Sequence, residues 1–174
     1  MGDISQSSEI MEMRLMELKL FIIEFNKASQ LDRSFMRSLL PETKVQFRTK
    51  LIDTCIELMG MIDKNTFTNE ILRKKIDEIM KVDENISIGQ AQKVVNVVMK
   101  QYCFILNKEN LYKELDCPLD RTTMRHKNTM KTLSKNEYLK YQADFKDRHG
   151  LRILADYVYD IQRLNNFLGA DAAN

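Results

Sequence analysis

Two prolines and five glycines punctuate a chain of 174 residues. So little punctuation disfavours a fold of short strands and tight turns and favours long helices. Tryptophan is absent, and only two histidines occur. Neither stands in a His–x3–His or Cys–x2–Cys frame, so no metal and no cofactor are expected. The three cysteines, Cys55, Cys103 and Cys117, lie far apart with no CxxC pair. They read as the reduced thiols of a cytoplasmic protein. A Gly-rich phosphate loop, a GxGxxG turn, a GxSxG elbow and the Glu–x2–His pairs of di-iron bundles are all missing. An excess of charge of one sign is missing too. Twenty-seven basic residues face 25 acidic ones, a net +2, which argues against a generic polyanion binder. The first ten residues have no apolar signal core. The most apolar stretch, LKLFIIEF at 18–25, is too short and too charged to span a bilayer, so no membrane contact is expected.

What is present is helical periodicity and methionine, 11 of them, a good helix former. Residues 1–7 read as a flexible lead. Ser8 then caps a helix whose apolar stripe is Met13, Met16, Leu20 and Ile23, with Phe21 as a further candidate. Leu15, Leu18 and Ile22 lie off that stripe. A helix apolar on two sides is either central in the bundle or an interface for a partner or a second copy. Asp32 begins a short helix through Leu40. Pro41, with Glu42 behind it, starts the next. Thr66 or Thr68 opens another. Ser87 and Gln90 form a capping box, as do Ser134 and Glu137. Asp116 is placed to cap a helix near Pro118, Gly150 to stop one, and 151–168 to form the last.

The expected fold is all-α, an antiparallel bundle of six to seven helices in a single domain over 8–168, with a tail at 169–174. Its expected core includes Met16, Leu20, Ile23, Ile52, Met59, Val95, Val98, Leu154, Val158 and Ile161.

Three groups of residues suggest chemistry. The first is in CPLDRTTMRH at 117–126. Arg121 followed by His126 on a helix of a small bundle resembles the signature of HEPN-type ribonucleases. The resemblance implies metal-independent RNA cleavage by pairs from facing subunits of a dimer. Arg121 would clamp the scissile phosphate, and His126 would act as base or acid. Read as residues alone, both fit a solvated helix equally. The second is a basic excess between Arg121 and Arg152. Arg125, Lys127, Lys131 and Lys135 form a row for RNA or DNA phosphates, with Tyr138 and Tyr141 to stack on bases. The third is the row Gln92, Asn96 and Lys100, which lines a small pocket or is the wet side of its helix. The reading these support first is a small cytoplasmic binding or regulatory module. It would act through a protein partner or homodimer, with a basic half for nucleic acid. The alternative is the ribonuclease.

Overall fold

The computed structural model describes the backbone at residues 3–28, 39–121, 123–124, 129, 131–157, 161 and 165, and in the first helix the side chains of 10–24. The fold is an all-α bundle, with no strand among the described residues. Helix α1 spans Asp3–Ala28, α2 Pro41–Asp63, α3 Asn69–Met80 and α4 Ile88–Ile105. A 3-10 helix follows at Glu109–Glu114, then α5 at Lys135–His149. Helical residues recur at 154–157, 161 and 165. The short helix expected after Asp32, the core position Val158 and the tail at 169–174 lie outside the described residues.

The helix ends follow local chemistry. Pro41 occupies the first turn of α2, where its missing N–H costs nothing. The Thr68 hydroxyl accepts from the Ile71 amide and starts α3. Both capping boxes are complete, Ser87 with Gln90 on α4 and Ser134 with Glu137 on α5. Asn65 and Asn107 turn the chain after α2 and α4 at φ 55° and 52°, a left-handed conformation that asparagine tolerates better than most residues. Gly150, at φ 76°, ends α5.

Helix α4 is the centre of the bundle. Thirteen of its 18 residues are buried, and what is open to solvent is the strip Lys93, Val97, Gln101 and Phe104 with Ile105 at its end, as expected of a helix packed by others on most sides. It packs on α1, α2, α3, the 3-10 helix and α5. Val94, Val95, Val98, Met99 and Cys103 meet Leu51, Cys55, Leu58 and Ile62 of α2 and Leu72, Ile76 and Ile79 of α3 in one core. The expected core positions Met59, Val95 and Val98 are fully buried, while Ile23 and Ile52 are half-buried.

Four expected core residues are exposed instead: Met16 at 62%, Leu20 at 47%, Leu154 at 38% and Ile161 at 39%. Helix α1 also begins at Asp3 and not at a Ser8 cap. It packs through the off-stripe Leu18 and the fully buried Ile22, and through Phe21, the further stripe candidate. On the same side an exposed ion pair joins Arg14 to α2, Nη2 lying 2.9 Å from Asp63 Oδ2. Asp63, the last residue of α2, also accepts from the Tyr102 hydroxyl of α4 at 3.1 Å. At 100° per residue the inner face lies roughly 160° around the axis from Met13, Met16, Leu20 and Ile23. Periodicity located a stripe on α1 but not the direction it faces.

Truncation should separate the two faces. Leu58→Ala is expected to cost about 2–5 kcal/mol, because it opens a cavity in a closed core. Met16→Ala should change stability by no more than about 0.5 kcal/mol. Urea midpoints of the two variants beside the parent chain test this, and equal losses would refute the assigned orientation of α1.

Candidate functional site

The segment Leu115–Leu119 runs through the bundle as extended chain and is buried throughout. It has no neighbouring strand, so its backbone polar groups need other partners. Two glutamines provide them. Gln142 of α5 accepts from the Cys117 amide and donates to the Cys117 carbonyl, both at 2.8 Å. Gln92 of α4 accepts from the Leu119 amide at 3.1 Å and donates to its carbonyl at 2.7 Å. Each amide side chain thus makes the paired bonds that an antiparallel strand would make. Pro118, between the clamped residues, has no N–H to satisfy.

The Asp116 side chain is fully buried and is reached by four hydrogen-bond donors and a second guanidinium, that of Arg152. Arg73 of α3 forks onto both oxygens, Nε at 2.8 Å and Nη2 at 3.0 Å. Arg152 Nε lies 2.7 Å from Oδ1. Asn69 Nδ2 donates to Oδ1 at 2.9 Å, and the Tyr138 hydroxyl donates to Oδ2 at 2.7 Å. Tyr138 in turn accepts from Asn96 Nδ2 at 3.1 Å. Burial, then the negative charge of Asp116, pushes the Tyr138 hydroxyl well above its ordinary pKa, so it remains a neutral donor. Burial pulls the Arg73 guanidinium down, but its hydrogen bond and charge pairing with Asp116 outweigh this and raise it.

This arrangement relocates several residues expected at a surface. Gln92, Asn96 and Lys100 are all buried and are not the wet side of their helix. Because α4 is central, its polar row meets the buried segment and α5, and Lys100 pairs with Asp156. Tyr138 is 1% exposed and has no face open to a base. Arg152, counted in the basic excess, is spent on Asp116 and on the Leu115 carbonyl. Asp116 caps no helix. The chain after it turns at Asp120–Met124, where Asp120 and Thr123 exchange side-chain-to-amide bonds of 2.8 and 2.9 Å.

Arg121 is exposed on that turn. Its proposed partner His126, and Arg125 and Lys127 of the basic row, lie outside the described residues. Lys131 is exposed, and Lys135 is exposed and paired with Asp77. Tyr141 is half-buried and borders a cavity of about 420 Å³ with Thr123, Met124, Asp144, Phe145 and Arg148. Arg148 lies over the Phe145 ring, 5.2 Å from its centroid. The structure therefore does not bring Tyr138 and Tyr141 to one open face beside Lys131 and Lys135.

The groups of the buried node are closed to solvent and engaged with one another. Asp116 is saturated with donors. Cys117 beside it is fully buried, and burial, reinforced by the nearby carboxylates, raises its thiol well above the ordinary range. Cys103 is pushed up to about 12 and Cys55 further, both first by burial. No group of three or more His, Cys, Asp or Glu among the described residues is placed to hold a metal ion. No described helix is long and apolar enough to cross a membrane.

Exposed apolar residues occur at Leu40 and Val45, at Phe104, Ile105 and Leu106, and in the largest number on α1. Ile10, Met11, Met13, Leu15, Met16 and Leu20 are 40–71% exposed. Residues 10–17 are exposed without interruption. The doubled apolar character of α1 was the signal in the sequence. No signal marked Asp116 as a hub, because its donors arrive from positions 69, 73, 138 and 152. No family model, curated protein or solved structure matches the chain.

Two measurements check the node. Asp116→Asn leaves Arg73 and Arg152 without their counter-charge and should destabilise by about 3–5 kcal/mol in urea unfolding. All three thiols should resist a disulfide reagent at pH 8 in the native protein and react together in denaturant. Rapid native labelling of Cys117 would contradict its burial.

Proposed function

We propose that this chain is a small helical binding or regulatory module that works by docking a protein partner or a second copy onto α1. The observation that supports this reading is the exposed apolar surface of that helix. Its most regular stripe points away from a core that Leu18, Phe21 and Ile22 already complete. Large contiguous apolar surface is uncommon on a monomer and is a usual mark of an interface. The buried node fits the same reading, since it holds a rigid platform and offers no reactive group. The three unpaired, buried thiols fit a reducing, cytoplasmic setting.

Nucleic acid is a secondary contact in this reading. Arg121, Lys131, Lys140 and Lys146 are exposed, and each phosphate contact would add roughly 0.7 to the log–log salt slope for single strands. The alternative, a HEPN-type ribonuclease, is favoured by the exposure of Arg121 two residues before the cavity wall at Thr123. Metal-free RNA cleavage in EDTA that is lost in His126→Ala would replace the module by the enzyme.

The docking reading is tested by a photo-crosslinking residue placed at Met16 and, as control, at Lys140 on α5. The expected outcome is a discrete protein adduct from position 16 and none from 140. Leu20→Asp, at an exposed site, should remove the adduct while leaving the thermal midpoint unchanged. Equal or absent adducts at both positions would overturn the reading.

A further inference from the structure

The apolar anchorage of residues 151–157 is small. Ile153 and Ala155 are buried and Leu151 packs partly on the core, while Leu154 and Tyr157 are 38% and 57% exposed. Two polar latches join the segment to the bundle. Arg152 places Nε 2.7 Å from Asp116 Oδ1 and also donates to the Leu115 and Lys113 carbonyls. Asp156 pairs with Lys100 of α4. The backbone bonds of the segment are internal. The amides of Leu154, Ala155 and Asp156 donate to the carbonyls of Leu151, Arg152 and Ile153, each at 3.2 Å. It starts at Gly150, whose φ of 76° is a conformation glycine adopts without strain. The segment can therefore swing about Gly150 without losing these bonds.

Charge balance shows which partner the node can release. Asp116 carries one negative charge and faces two guanidiniums. Arg73 forks onto both of its oxygens and balances the charge alone. Asn69 and Tyr138 add hydrogen bonds that do not involve the segment. Arg73 also sits on α3, which Leu72, Ile76 and Ile79 fix in the core. When Arg152 leaves, Asp116 keeps a bidentate partner and Arg152 meets water, so opening here costs less than opening the core. The latches border Cys117. Arg152 engages the two residues before it, and burial, then the Asp156 carboxylate, raise its thiol well above the ordinary range.

We infer that residues 151–157 are a strap, hinged at Gly150 and latched by Arg152 on Asp116 and by Asp156 on Lys100, that opens as one unit and governs access to Cys117 while the rest of the bundle stays folded. This conformational device is independent of the docking reading.

Cys117 reports on the strap, and Cys55 and Cys103, buried on α2 and α4, report on the core. The full chain is held with a thiol reagent for hours at several urea concentrations below the unfolding transition. Mass spectrometry of the peptides follows each thiol. Cys117 is expected to label slowly but first, at a rate that rises little with urea, because an opening strap exposes little surface. Cys55 and Cys103 should follow the steep urea dependence of global unfolding. Arg152→Met should speed Cys117 about ten- to a hundredfold, the loss of charge-assisted bonds, and leave Cys55 and Cys103 unchanged. Asp156→Asn should act in the same direction. One urea dependence shared by all three thiols, or equal acceleration of all three in the variants, would overturn the inference. Circular dichroism checks that each variant is folded. If neither variant folds, the urea dependences of the parent chain decide alone.

Discussion

The buried carboxylate of Asp116 is the constraint on which the rest of the structure depends. An ion taken out of water must be fully paired, or its desolvation outweighs its attraction. Here the pairing draws in Arg73 and Asn69 from α3, Tyr138 from α5, and Arg152 from the chain beyond Gly150. Elements distant in sequence are therefore tied to one point. The flanking backbone is fixed at the same time by Gln142 on Cys117 and Gln92 on Leu119. Hydrophobic burial alone would let α5 slide on α4. A set of directional bonds to one segment defines its register.

The position of α4 follows from its composition and makes this possible. A helix buried on most sides must direct its inward polar residues at something polar. Gln92 meets the buried segment, Asn96 the Tyr138 hydroxyl, and Lys100 meets Asp156. The polar groups are costly where they lie, and each has a role in holding a neighbour. That arrangement removes them from any surface, as it removes Tyr138 and Arg152. Exposed among the described residues are, with other groups, an apolar face of α1 and cations at positions 121, 131, 140 and 146.

Local signals were legible in the amino-acid sequence because their physics is local. Pro41 at a helix start, the Thr68 cap, the two capping boxes and Gly150 all act within a turn of their own position. The all-helical class follows from the same signals, from the 3.6-residue period and from the scarcity of glycine and proline. The apolar character of α1 on two sides, the feature that suggests a partner, was legible as well.

Direction and partnership were decided only by the tertiary structure. Periodicity places Met16 and Leu20 on one face of α1 but is blind to where that face points. The answer came from the packing of Leu18, Phe21 and Ile22 on the core, the side on which Asp63 at the end of α2 engages both Arg14 and Tyr102. A Gln, Asn and Lys row looks the same in sequence whether it meets water or a buried chain. The centrality of α4 chose the second. Asp116 resembles any helix cap until residues 69, 73, 138 and 152 converge on it, and convergence across that much sequence is a property of the folded chain alone.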